Sequence, residues 1–189
     1  ISYHIPEIGH PDLYALDVLS SLLSDGRTSR LYKSMIEEKR IAVMAHAYDQ
    51  IGKYPDTFTF IAAPRAPHTV AGVESAIYEE IEKLKNTPPS DWELQKIKNQ
   101  LEADFIRGLN SAAGLANEIG HFEVLSDWRY INTFMDRIAQ VTADDVMRVA
   151  KKYFTKSNRT VAILVKKENN NKTKEAKEDS KSGKAAVTY

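Results

Sequence analysis

Residues 10–40 read HPDLYALDVLSSLLSDGRTSRLYKSMIEEKR, and the way this stretch changes period decides the fold. From Pro11 to about Ser24, the apolar positions Leu13, Leu16, Leu19, Leu22 and Leu23 recur at helical spacing. Pro11 is tolerated in a first turn, where its missing N–H would have no partner anyway, and Gly26 stands just past the end, where a left-handed residue stops a helix. Gly26-Arg27-Thr28-Ser29-Arg30-Leu31-Tyr32 is then a turn with hydroxyls able to accept from free helix N–H groups, and a second, more polar helix is expected over Ser29–Lys39. After it come two β-rich runs, IAVMAHAY (41–48) and TFTFIAA (57–63), joined through a Gly- and Pro-containing connection and expected to pair antiparallel.

Working outward, residues 1–6 look extended, and the rest is helical almost to its end. Val70, Val73, Ile77, Ile81 and Leu84 form one stripe, and Leu94, Ile97, Leu101 and Phe105 form another that opens on Ser90-Asp-Trp-Glu93, a capping-box pattern. Leu115, Ile119 and Phe122 predict a third helix in this region; Trp128, Ile131, Phe134, Met135 and Ile138 a fourth; Val146, Val149 and Tyr153 a fifth, introduced by Thr142-Ala-Asp-Asp145. Thr160–Val165 returns as a strand. Strands at both ends and near the middle, with helices grouped between them, predict an α+β layer fold rather than alternating βαβ units.

Composition narrows the function. The 189 residues carry 26 Lys and Arg against 26 Asp and Glu, so the chain lacks the positive field that sequence-independent nucleic-acid binding requires. The segment after Val165, KKENNNKTKEAKEDSKSGKAAVTY, has almost no large apolar residue and reads as a solvated tail over 167–189, leaving 1–166 as the folded domain. Removing that segment's seven Lys and four acidic residues leaves 19 basic against 22 acidic side chains in the body. No apolar run approaches the roughly 20 residues of a membrane span. A periplasmic or cytoplasmic location is therefore expected over a membrane one. The absence of Cys removes disulfides, thiolate nucleophiles and Cys-ligated zinc together. A start on a strand without Met reads as a domain excised from a longer chain.

Catalytic patterns are missing. A zinc hydrolase needs imidazoles and a carboxylate converging on one side of the metal. His4-Ile-Pro-Glu7-Ile8 approaches His-x-x-Glu-His, but Ile8 replaces the second His and Pro6 would break the presenting helix. His10 is expected at a helix entrance, His46 in a strand, His68 in a Pro-flanked loop and His121 on a helix, none with a partner at metal-binding spacing. Gly-x-Ser-x-Gly, phosphate-loop and dinucleotide fingerprints are absent, and the acidic pairs Glu37/Glu38, Glu79/Glu80 and Asp144/Asp145 are adjacent rather than facing.

The stretch 10–40, together with the Pro-rich junction, the Trp-containing helix and the Val-Thr-x-Asp-Asp-Val helix start, resembles the second, inactive half of M16 metallopeptidases, the pitrilysin and mitochondrial processing peptidase family. The resemblance covers residues 1 to about 166. It implies a LuxS/MPP-like metallohydrolase fold, an antiparallel or mixed sheet with helices packed on one face. It also implies a chamber wall: zinc and its His-x-x-Glu-His motif on a partner half or subunit, a peptide substrate, and a dimer of homologous halves. In many such walls an Arg and, seven residues later, a Tyr hold the peptide. Ile36 stands at the Arg position here and Val43 at the Tyr position, and neither can donate a hydrogen bond. Either the wall packs apolar substrate or another subunit supplies the grip, the second being the favoured reading. Arg40, one turn after Ile36, is a candidate to compensate. A structural subunit related to respiratory-complex core proteins, cutting nothing, is the competing reading.

Overall fold

A computed structural model describes residues 1–164. Among them one four-stranded sheet, β1 (Ser2–Ile5), β2 (Ala42–Asp49), β3 (Asp56–Pro64) and β4 (Arg159–Thr160), runs in the order β2-β3-β1-β4 with antiparallel neighbours throughout. Six α-helices accompany it: α1 (Asp12–Ser24), α2 (Val70–Asn86), α3 (Asp91–Leu109), α4 (Ala112–Leu125), α5 (Ile131–Gln140) and α6 (Ala143–Tyr153). The α+β layering read from the hydrophobic periods is the observed one. The charged tail expected over 167–189 lies outside the described residues, as does Val165.

Strand alternation sorts the sheet into two faces. Tyr3, Ile5, Ala42, Ala45, Ala47, Phe58 and Phe60 are buried, while Ser2, His4, Met44, His46, Tyr48 and Ile61 lie half-buried or exposed on the other side. The helices cover the first face. Phe154, just past α6, closes the core there, its ring centroid 4.9 Å from both Tyr3 and Phe58 and 5.4 Å from Phe60.

Helix α1 is the hub, buried on most of its circumference through Leu13, Leu16, Leu19, Leu22 and Leu23. It is tied to α6 by a charged knot. The Asp12 carboxylate accepts from Arg148 Nη1 at 2.6 Å, Lys152 Nζ at 2.7 Å and the Tyr153 hydroxyl at 2.8 Å. Burial alone would raise the Asp12 pKa, but these three donors outweigh it and hold the carboxyl well below the ordinary carboxylate range. At the entrance of α1, His10 Nδ1 accepts from the Asp12 N–H at 3.0 Å, the helix-entrance place expected for it.

Two elements depart from the sequence reading. The second helix starts at Arg30, close to where it is expected, with the Lys33 N–H donating to Ser29 O at 3.0 Å, but over Tyr32–Glu38 it winds as a π helix, the Lys39 N–H reaching back five residues to Ser34 O at 3.0 Å. The last strand, expected over Thr160–Val165, pairs only at Arg159 and Thr160, opposite Tyr3 and Ser2 of β1. At α3 the Ser90 hydroxyl accepts from the Glu93 N–H at 3.2 Å, while the Glu93 carboxylate engages Arg30. At α6 the capping box is complete in both directions, Thr142 with Asp145.

Candidate functional site

The quoted stretch builds a concave corner where α1, the π helix and β2 meet. Gly26, at φ +73°, turns the chain out of α1 in the left-handed region that a side chain would disfavour. Ser29 then ties the turn shut, its hydroxyl donating to Gly26 O at 2.8 Å. Arg30 anchors it to α3 through two parallel bonds to Glu93, and Thr28 is bonded to Lys96. Two residues past the π helix Arg40 is also left-handed, at φ +54°, and β2 opens on an irregularity: Ala42 opposes Pro64 and Met44 opposes Ala63, so Val43 is the extra residue of a β-bulge. A bulge re-aims the side chain it carries.

That re-aiming matters because Ile36 and Val43 line one cavity of about 290 Å³ with Arg27, Tyr32, Met44 and His46. Val43 is 58% exposed there and Ile36 is half-buried. The two positions singled out by resemblance are thus brought together by the fold. Arg40 is not among the lining residues; its Nε donates to Glu37 O at 3.3 Å. The polar members, Arg27, Tyr32 and His46, carried no role in the sequence reading. Tyr32 and Ile36 share a helix face at four-residue spacing, but nothing local foretells that the turn delivers Arg27 and the bulge delivers His46 to the same place. The lining holds no carboxylate. Its aliphatic surface can pack an apolar side chain, and its guanidinium, phenol and imidazole can donate to carbonyl or carboxylate oxygen.

Two carboxyls, Asp49 at the far end of β2 and Asp17 of α1, are strongly perturbed. Burial pushes Asp49 up to about 6 against its own backbone N–H and Ser20, and burial together with the charges of Asp49 and Asp25 raises Asp17 well above the ordinary range. Asp49 Oδ2 has no hydrogen-bond partner among the described residues.

His4 lies on β1 and Glu7 in the turn beyond, and among the described residues no group of three His, Asp or Glu is placed to hold a metal ion. Among the same residues no helix is long and apolar enough to cross a membrane.

Residues 1–101, which include the whole corner, match the family described as the peptidase M16 inactive domain. The chain belongs to that family. The relative named zinc protease PqqE, from Helicobacter pylori, is 29% identical over 164 residues, covering 87% of this chain and 37% of its own length. Among solved structures, a protease from Helicobacter pylori superposes with a TM-score of 0.79 at 30% identity, over 83% of this chain and 38% of that one. A peptidase domain from Bordetella parapertussis described as inactive superposes with a TM-score of 0.77 at 22% identity, over 89% and 92%, and shares the fold. This M16 inactive domain therefore spans less than two fifths of the Helicobacter pylori proteins it matches.

Proposed function

We propose that this M16 inactive domain forms the non-catalytic wall of a peptide-processing chamber. The zinc ion and its His-x-x-Glu-His motif belong to another domain or subunit, a homologous half that closes against it. The supporting observation is the corner cavity: Ile36 and Val43, a helix residue and a bulge residue, meet there. The wall presents an apolar patch where a polar pair would otherwise grip the peptide backbone, so it contributes enclosure and apolar packing, while the hydrogen bonds that fix the scissile peptide come from the zinc-bearing half. Zinc bound there would polarise the peptide carbonyl and activate water. This chain's residues would orient and shield the substrate.

The test is a photo-crosslinker at position 43 of the assembled protease, with Tyr54, 74% exposed in the β2–β3 connection, as the control position. Peptide adducts at 43 and none at 54 are expected. An assembly that cleaves peptide without adducts at 43 overturns the wall assignment, and one that assembles but cleaves nothing favours the structural-subunit reading.

A further inference from the structure

The corner cavity is unbalanced in polarity. Arg27, Tyr32 and His46 bring a guanidinium, a phenol and an imidazole to a lining that holds neither a carboxylate nor a side-chain amide. The other hydroxyl there, on Ser24, is already engaged, its Oγ accepting from the Ala47 N–H. Donors therefore outnumber acceptors, and within the lining a positive charge faces no negative one. An occupant that completes this site brings an anionic acceptor.

Arg27 stands on a turn that is fastened on every other side chain. Between Gly26 and Leu31, Thr28 is bonded to Lys96 of α3, Ser29 bonds back to Gly26 O, and Arg30 forks onto Glu93 of α3. Arg27 takes no part in these bonds; it is exposed and lines the cavity instead. A charged side chain on a fixed base loses less freedom on binding than one on a loose loop. The rest of the wall is aliphatic. Ile36 is half-buried, while Val43 and Met44 are 58% and 39% exposed although they belong to a strand. At about 290 Å³ the cavity has room for a short stretch of extended peptide rather than a folded partner.

We propose that the corner is a carboxylate-reading subsite: Arg27, with Tyr32 and His46, binds a carboxylate of the peptide while Ile36, Val43 and Met44 pack an apolar side chain beside it. This rests on the wall reading above and adds the class of peptide that the wall prefers. The subsite selects which peptides are held; it does not grip the scissile amide. A free C-terminus and an Asp or Glu side chain present the same group to a guanidinium, so the two sources are separated by experiment.

Three peptides, used as competitors of a cleaved reporter in the assembled protease, test this: acetyl-Ala-Ala-Ala-Leu with a free carboxyl terminus, its C-terminal amide, and acetyl-Ala-Glu-Ala-Leu-amide. Each is measured against wild type and Arg27→Gln, so that any carboxylate preference held by the zinc-bearing half cancels. In wild type at least one carboxylate-bearing peptide should compete about fivefold better than the plain amide. Arg27→Gln should lose most of that preference, and Arg27→Lys should keep part of it, since a point charge cannot make the two parallel bonds. A gain for the first peptide alone assigns the carboxyl terminus, and a gain for the third assigns an acidic side chain; both support the subsite. Equal competition by all three peptides, or a preference that survives Arg27→Gln, overturns it while leaving the wall assignment in place. Absence of peptide adducts at position 43 overturns both.

Discussion

Arg30 and Glu93, 63 residues apart, meet in a two-pronged ion pair, Nε to Oε1 at 2.9 Å and Nη2 to Oε2 at 2.7 Å. The pair is about four-fifths shielded from solvent, and Arg30 holds the Glu93 carboxyl below its ordinary range. It fastens the turn that bears Arg27 to the first turn of α3. A planar fork facing a carboxylate is the geometry in which such pairs are worth most. A double-mutant cycle of Arg30→Met and Glu93→Gln, read by urea unfolding, should return a coupling of about 1 kcal/mol. Arg30→Lys should recover less than half of it, since an ammonium cannot make both parallel bonds.

Asp12 links stability to acid. Its carboxyl is nearly buried, with three donors from α6, so its folded pKa lies below the unfolded value near 4. A depressed acid stabilises fully above the unfolded pKa, and that contribution is lost as pH falls through the folded one. Because Arg148 and Lys152 are about half exposed, Asp12→Asn should cost about 2 kcal/mol at pH 7 rather than the full penalty of a broken buried pair. The gap between wild type and variant should narrow steadily below about pH 4. A gap that stays constant down to pH 2 would remove Asp12 from the acid sensitivity of the fold.

Local signals carried much of this architecture. The apolar stripes of α1, α2 and α3, the Ser90 and Thr142 caps and the run 42–49 are written within single elements, and the structure keeps them. What pairs with what was not written locally. β1 sits between β3 and β4 because chain segments more than 50 and 150 residues away come to it, and no period in residues 1–6 encodes that. The π winding of 32–38 is a fraction of a turn per residue from α, too little for apolar spacing to register. Glu93 shows a motif read correctly in type and incompletely in use, because a long-range Arg30 claims its carboxylate. In the corner cavity Ile36 and Val43 were singled out only through resemblance; the bulge that turns Val43 toward Ile36 leaves no mark in IAVMAHAY.

Asp49 should act oppositely to Asp12. Burial raises its pKa from 3.8 to about 6, so the folded state takes up a proton that the unfolded chain has already released. Stability then falls as pH rises from about 4 to about 6 and stays lower above that. Asp49→Asn keeps the shape and cannot ionise. It should match wild type near pH 4 and exceed it by about 2 kcal/mol at pH 7, measured as urea midpoints at the two pH values. A variant less stable than wild type at pH 7 would mean that the carboxylate has a partner worth more than its burial costs.

The α3–α4 hairpin depends on one missing methyl group. A Cβ placed on Gly114 would stand 2.0 Å from Gly108 O, a backbone atom that cannot swing aside, whereas one on Gly120 meets nothing within 4 Å. Gly114→Ala should therefore lower stability by about 2 kcal/mol or more. Gly120→Ala, further along the same helix, should raise it by about 0.5–1 kcal/mol by restricting the unfolded chain and favouring helix. Opposite signs from one chemical change within α4 would separate close approach from helix propensity. A neutral Gly114→Ala would show that the hairpin opens at little cost.

Arg40 stands at φ +54°, a left-handed position at a helix end where glycine is the usual occupant. A side chain there costs roughly 1 kcal/mol, and the visible return is one long bond from Nε to Glu37 O at 3.3 Å on an exposed surface. If Arg40 serves folding, Arg40→Gly should be neutral or harmful. If it serves a partner or peptide, relieving the strain should stabilise the isolated chain while function suffers. Arg40→Gly is expected to raise the urea midpoint by an amount worth about 0.5–1 kcal/mol without changing the slope. Arg40→Ala removes the charge while keeping the strained backbone, so its peptide affinity separates the two roles: with the grip supplied by the zinc-bearing half it should stay unchanged. Unchanged affinity in Arg40→Ala would end its candidacy as the substitute for the donor missing at Ile36, and a destabilised Arg40→Gly would assign its guanidinium to holding the end of the π helix.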